Sequence, residues 1–582
     1  MHRRDWFRDI GKALAGLTLG GCQNFLMPST KRKLSRATLS TGPWTGVYDT
    51  FDPFDSSVDK LRDALNIDIP DPEGKSNAFA RNGFDLGNLG NAVTSAFAPL
   101  YGQWIHTHTA LNGTTINLVI VAGKLLRLGA VTSGPMTITD VTPVGISINS
   151  GNGPIPITSL LDNIIVNDGI SRPWVGTNLT ATPITGTYID YDGAGVAWTA
   201  FGQARVWQGS VLFILAAVAG VARRDDISWS EPGLPGTGWQ QSGFDNNATM
   251  TQTATGPLFG LAATNLALYY FRANSIGAVS GDLFLNFSTN ATHDAVSANV
   301  GCTAWATIKQ AGTSIFFADA RGRPYKMISG DAPQPIWEQM RAVTQQHGGN
   351  AADQLLTFAS SVIDPTLNRY FVTLWRPDVS AADTSSPTTV YVFTADTGTY
   401  LGRWTIGDLG DGAGGVGISV MGLLNGADNN EPTLCLLGEK VVGSQSLGFL
   451  WFLRVRGWPF PDPDQWLDRF VRPYVVVTTD PLGEAEDVVY TVDRVGIITN
   501  NASPCAITIQ TPNASAAVIG TPAVNGLSND STYRLIAGVS GVQGRGPAIT
   551  VSPQSNDPTL TQWSIGKINL VAVASTAGPE DL

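Results

Sequence analysis

Asn163-Ile164-Ile165-Val166-Asn167-Asp168-Gly169 is a short β-branched run stopped by turn residues. Ile and Val crowd the turns of a helix but pack well on a pleated surface. Asn, Asp and Gly tolerate the positive φ that a tight turn demands. The same unit returns elsewhere: Thr115–Val121 runs into Ala122-Gly123-Lys124, and Val390–Phe393 is followed by Asp396-Thr397-Gly398. From Leu100 onward, short apolar or alternating runs are divided by Gly, Pro, Asn and Asp, which predicts an all-β body. Val211–Val221 (VLFILAAVAGV) has only eleven residues, half of a membrane span, and reads as one or two buried strands. Helical periodicity is confined to Trp6–Leu19, Val58–Leu65 and Gln334–Thr344.

At 582 residues the chain is too long for one simple core unless a repeat architecture carries it. Charged residues are 14 %, well below the ordinary quarter, while 43 % hydrophobic residues and 16 Trp exclude general disorder. Cys22, Cys302, Cys435 and Cys505 are far apart, which excludes a disulfide scaffold and the usual zinc modules.

Charge is unevenly spread. Residues 1–40 carry Arg3, Arg4, Arg8, Lys12, Lys31, Arg32, Lys33 and Arg36 against Asp5 and Asp9, a balance of +6. The remaining 28 basic and 45 acidic residues give −17. An acidic body lacks the clustered cations of a DNA-gripping surface. A basic arm suits docking to an acidic patch on a partner or sister subunit, and Arg3, Arg4, Arg8, Lys31, Arg32, Lys33 and Arg36 are the expected contacts. Within the arm, Arg3-Arg4-Asp5-Trp6-Phe7 looks like a twin-arginine signal and Leu19-Gly20-Gly21-Cys22 like a lipobox. Lys12 and Asp9 interrupt the intervening apolar stretch, so an amphipathic helix with Trp6, Ile10, Ala13, Leu14 and Leu17 on one face is preferred.

The search for chemistry returns no complete constellation, and no catalytic residue, cofactor or metal is expected. Gly410–Gly415 satisfies G-x-G-x-x-G, but the following Val416–Met421 is strand-like, where a dinucleotide site needs a helix. His106 and His108 share one face of a strand without a third ligand, and an exposed strand face is expected. His293 and His347 are the most plausible triad histidines, yet nothing in sequence pairs them with a nucleophile. Asp49, Asp52 and Asp55, Asp190 and Asp192, and Asp462, Asp464 and Asp468 read as turn and cap residues, because proximity in sequence does not set two carboxylates across a cleft.

Turn glycines open similar strands at Gly123-Lys124-Leu125, Gly209-Ser210-Val211 and Gly312-Thr313-Ser314, at spacings of 86 and 103 residues that are too long for one propeller blade each. Many short strands of this kind favour a propeller or stacked sandwiches. A longer series carries a family resemblance. It begins with Ser57–Ile69, Gly74 and Arg81-Asn82-Gly83-Phe84, and continues through Ile164–Trp174, Gly202–Trp207 with Asp226–Gly233, Leu266–Ile276, Ile315–Gly322, Asp364–Val372 and Tyr391–Gly398. In this order the segments resemble the tail nozzle (distal tail tubular, or hub) proteins of short-tailed bacteriophages, over roughly residues 45–400. Gly544–Ile549 with Trp563–Val573 adds an expected C-terminal β-sandwich.

The resemblance implies an all-β protein with a β-propeller core, inserted loops and sandwich-like modules, and the short helical arm read from the N-terminal periodicity lies outside it. The expected divisions are 1–40 arm, 41–455 propeller body and 456–582 C-terminal β-rich module, with Pro459–Trp466 as the crossing. It implies a non-enzymatic virion tail protein, a homohexamer below the adaptor (head-to-tail connector) that bears tail fibres or tailspikes. DNA would pass through during genome ejection without specific binding, and no membrane is involved in the mature virion. The rival class is an exported envelope lipoprotein whose propeller binds or hydrolyses glycans.

Overall fold

The computed structural model describes residues 35–47, most of 60–87, 102–340 with short gaps, 359–374, 389–405, three strands within 417–453, and separate runs between 476 and 576. The protein is built almost wholly of antiparallel strands, and no helix reaches seven residues among the described residues. The reason lies in the hairpins. Ala122 and Gly123 both take positive φ (48° and 76°), and so do Gln208 and Gly209 (49° and 78°). That conformation matches the twist of the flanking strands and turns each apolar run back on its neighbour.

Seven units of four antiparallel strands, the third with a short fifth strand at Val221–Ala222, follow one another. The first contains Gly102–Thr109, Thr115–Val121, Lys124–Leu128 and Ile138–Asp140. The second contains Ile157–Leu160, Asn163–Val166, Trp174–Thr177 and Thr185–Tyr188. The third begins with Trp198–Trp207 and Ser210–Val218, the fourth with Gly260–Ala263 and Leu268–Phe271, the fifth with Lys309–Ala311 and Ser314–Ala318. The sixth runs from Ser361–Asp364 to Tyr400–Thr405 within a larger sheet. The seventh joins Gly417–Asn425, Pro432–Val442 and Gln445–Leu453 to Phe84–Gly87, so its outer strand comes from the other end of the chain.

Most units open with a strand that lies against the opening strands of its neighbours. Gly102–Thr109 touches both Ile157–Leu160 and Gly417–Asn425, and Trp198–Trp207 touches Ile157–Leu160 and Gly260–Ala263. Ser361–Asp364 likewise touches Lys309–Ala311 and Gly417–Asn425. The fourth and fifth units meet where a Cβ on Gly260 would lie 2.3 Å from the Ile308 side chain. The cores follow the same order. Ile165, Val175, Trp198, Phe213 and Trp239 pack between units two and three; Trp229, Leu261, Tyr270 and Phe287 between three and four; Phe271, Ile276, Ile315 and Phe317 between four and five. Alternation along a strand explains the sharing: Ile315 and Phe317 face one neighbour and Phe316 the other.

The remaining strands form one further sheet and extend the sheet that holds the sixth unit, and both contribute to one buried cluster. One pairs Val488–Thr499 with Ser564–Thr576 and adds Ser35–Thr41 and Ala78–Ala80; the other pairs Lys60–Leu65 with Val476–Thr479 and continues to Cys505–Gln510 and Ala548–Pro553. The sheets therefore cut across a linear division at 40 and 456, because early strands complete the C-terminal module. Arg369 bonds across this joint to the Ile69 and Pro70 carbonyls and pairs with Asp68.

Two helical expectations are corrected. Val58–Leu65 holds the strand Lys60–Leu65, because pairing with Val476–Thr479 and burial of Leu61 and Ala64 override the local periodicity. In Gln334–Thr344, Gln334–Pro335 is an edge strand and Trp337–Gln339 one 3-10 turn. Trp6–Leu19 lies outside the described residues. The reading of Val211–Val221 as one or two strands agrees with Ser210–Val218 and Val221–Ala222.

Candidate functional site

The opening strands bring together polar residues that lie far apart in the chain. Trp104, His106 and His108 alternate along Gly102–Thr109, and the two imidazoles point toward the second unit. Ser159 meets both: its Oγ is 2.6 Å from His106 Nε2 and 2.9 Å from His108 Nδ1. The face is therefore interior, and the expectation of an exposed strand face is corrected; His108 is fully buried. Packing of the second unit against the first covers this face.

Arg205, on the third unit, donates from Nε to the Leu261 carbonyl (2.7 Å) and from Nη2 to the Ile308 carbonyl (2.9 Å). It thus ties units three, four and five. Lys309 follows Ile308 and places its ammonium 5.1 Å from the centroid of the Trp104 ring. Trp104 in turn stacks on Trp305 at 5.8 Å and 28°. Side chains of the first unit and of the segment that opens the fifth thus meet.

Burial governs the electrostatics. It pushes His106 down to about 3, with His108 and Lys309 adding repulsion. Burial also lowers His108, against an upward pull from Asp162. Lys309 is lowered to about 7 by burial and then by Arg205, and Arg205 itself to about 10 by burial. A general base works best with a pKa near the operating pH. His106 is far below it, and Asp162 accepts from the Leu111 backbone instead of orienting His108. Ser159 and its two imidazoles therefore act as a clamp between the first two units.

The other sequence candidates are scattered. His293 sits on Thr292–Ser297 with its pKa lowered by burial, and its Nδ1 is buried without a partner among the described residues. Asp190 and Asp192 accept backbone N–H groups of Ala194, Gly195 and Val196, which is turn chemistry. Arg36 lies on Ser35–Thr41, opposite Val573. Arg3, Arg4, Arg8, Lys31, Arg32, Lys33, Cys22, His347, Asp49, Asp52, Asp55, Asp462, Asp464, Asp468 and Gly410–Gly415 lie outside the described residues. The segment after the last of these is the strand Gly417–Asn425, as expected. No group of three or more His, Cys, Asp or Glu suited to a metal occurs among the described residues. Sequence reasoning did not single out Ser159, Arg205 and Lys309 as a group, since they are 46 and 104 residues apart and no motif links them.

No family model matches the chain, and the search of curated proteins finds no match. Among solved structures it is similar to a chain of an S. cerevisiae complex of a Dbp5 variant bound to Nup159, a Gle1 variant, IP6 and ADP. That likeness has 9 % identity and a TM-score of 0.34, covering 64 % of this chain and 96 % of the other. At that score it carries no weight for fold or function.

Proposed function

We propose that this chain is a non-enzymatic virion protein, the tail nozzle of a short-tailed bacteriophage. Copies of it would form an oligomeric channel for genome ejection below the adaptor and a platform for fibres or spikes. Within each copy the seven units would form a seven-bladed β-propeller, with Phe84–Gly87, paired to Gln445–Leu453, as its closing strand. The pairing of Phe84–Gly87 with Gln445–Leu453, together with the contacts between successive opening strands, is the observation that supports the reading. Closing the ring through both chain ends shields sheet edges without another domain.

The segments that resemble the nozzle family support it by their placement. Ile164–Trp174 spans a hairpin of the second unit, Gly202–Gly233 the third, Leu266–Ile276 the fourth, Ile315–Gly322 the fifth, and Asp364–Gly398 the sixth. With Trp104, Trp305 and Lys309 filling the middle of each copy, the DNA path would run between copies. A body with net −17 would repel phosphate and let the duplex slide. Electron microscopy of the purified full chain, alone and with the adaptor, tests this: a six-fold ring with an axial opening is expected. A strict monomer that is also absent from virions refutes it. A diacylglycerol on Cys22 by mass spectrometry would instead favour the envelope lipoprotein.

A further inference from the structure

In an antiparallel unit, the turn between the first and second strands and the turn between the third and fourth lie at the same end. Short contacts join these turns into one row across the first five units. The Leu111 N–H of the first unit donates to Asp162 Oδ1 of the second at 2.7 Å. Leu161 Cδ1 lies 3.5 Å from where a Cβ on Gly233 of the third unit would sit, and the Gly233 N–H donates to the Gly209 carbonyl at 2.8 Å. Trp207 Nε1 reaches the Thr264 carbonyl of the fourth unit at 3.0 Å. The Thr264 hydroxyl is 3.3 Å from that of Ser329 in the fifth.

Leu111, Leu161, Leu234, Leu266 and Ile328 lie in or beside these turns and are 40–73 % exposed. Turn chemistry asks for Gly, Pro, Asn or Asp and gives no reason for a leucine. Exposed apolar residues gathered along one surface mark a site of interaction. The charge of the row has one sign. Residues 110–114, 161–162, 208–209, 231–236, 264–267, 281–283, 312–313 and 329–333 hold Asp162, Glu231, Asp282 and Asp331 and no Lys or Arg. At the other end of the strands, the turns between second and third strands carry Arg172, Arg224, Arg272 and Arg323 in units two to five. An apolar and acidic row is complementary to a segment that is apolar and basic.

The chain contains such a segment. Residues 1–34 carry Arg3, Arg4, Arg8, Lys12, Lys31, Arg32 and Lys33 against Asp5 and Asp9, a balance of +5, with Trp6, Ile10, Leu14 and Leu17 at helical spacing. The residues that follow reach the sixth unit at the same end of its strands: a Cβ on Gly46 would lie 3.0 Å from Thr399 Cγ2, in the turn between the third and fourth strands. Thirty-four residues at about 3.3 Å each extend to about 110 Å, while five sheets about 10 Å apart span about 50 Å. A tether also raises the local concentration of the segment to the order of millimolar.

We propose that this row of turns is the docking surface for the chain's own basic N-terminal segment, residues 1–34. Its apolar side chains cover the exposed leucines and its cations meet Asp162, Asp282 and Asp331. The surface does not depend on the tail-nozzle assignment, and its failure would leave that assignment untouched.

Zero-length coupling of amines to carboxylates in the full-length protein at low salt, read by peptide mass spectrometry, tests it. In a mixture of isotopically labelled and unlabelled chains, links from Lys12, Lys31 or Lys33 to Asp162, Glu231, Asp282 or Asp331 are expected within single chains. The double variant Leu111→Ser, Leu266→Ser should lose these links about tenfold, and salt of about 1 M, with a Debye length of about 3 Å, should reduce them as well. The wild-type pattern alone is decisive if the variant fails to fold: the absence of these links, or links that fall on other acids instead, overturns the proposal. Undiminished links in the folded variant overturn it, since the leucines would then hold nothing. Links found only between labelled and unlabelled chains also overturn it, because the occupant would be a second copy.

Discussion

Replacing Lys309 by Met removes a charge from the middle of the fold while keeping an unbranched stem of similar reach. Lys309 titrates ordinarily at 10.5, and burial followed by Arg205 holds it at about 7 in the folded chain. That difference of about 3.5, at about 1.36 kcal/mol per pH unit, sets an upper limit of about 5 kcal/mol on the penalty. The side chain keeps some exposure, and screening reduces the expected value to about 2–3 kcal/mol. The unfolded chain holds the proton up to about 10.5, the folded chain only up to about 7. Between those values the unfolded state binds more protons, so wild-type stability rises with pH, and below about 7 the penalty is complete. Met has no such dependence. In phosphate-free chloride buffer the variant should therefore exceed the wild type most near pH 6, with the gap closing toward pH 10. Urea midpoints followed by tryptophan fluorescence at about pH 6, 8 and 10 measure it, and the difference between the two proteins cancels groups they share. A gap that does not change with pH, or a variant weaker than the wild type throughout, would show that the ammonium is well solvated and refute the reasoning.

Other outcomes follow from packing. Arg369→Met removes the bonds to the Ile69 and Pro70 carbonyls and the pairing with Asp68; a loss of about 2–4 kcal/mol is expected, seen as faster amide exchange in Lys60–Ile69 and Ser361–Thr373, and unchanged exchange there would contradict it. Gly277→Ala places a Cβ 2.1 Å from the ring of Tyr270, which lies directly opposite and is fully buried, so a cost of about 1–3 kcal/mol is expected in the denaturation midpoint; a neutral substitution would mean the ring has room to move. Burial pushes the Cys302 thiol up to about 12 and raises Cys435 as well, so neither should react with a thiol reagent near pH 8 until the protein unfolds, and rapid native labelling of either would disprove their enclosure.

How much was legible depended on how local the signal was. The hairpins were, because β-branched runs and positive-φ residues such as Ala122-Gly123 act within a few residues of each other. The helical reading of Val58–Leu65 failed for the opposite reason: its partner strand, Val476–Thr479, lies over 400 residues away, and an eight-residue pattern does not say which period will win. The face of His106 and His108 was correctly taken as shared and wrongly taken as exposed. Alternation sets which residues lie together, but the second unit sets whether water reaches them.

The amino-acid sequence by itself determined the β character, the turn positions, the acidic balance of the body and its separation from a basic N-terminal stretch. These depend on backbone sterics and on sums over residues, and neither needs a partner in space. Only the tertiary structure decided that early strands complete the C-terminal sheets, that Phe84–Gly87 completes the seventh unit, and that Ser159 of the second unit bonds both His106 and His108 of the first. Each is a long-range coincidence of strands, selected by which apolar faces bury together.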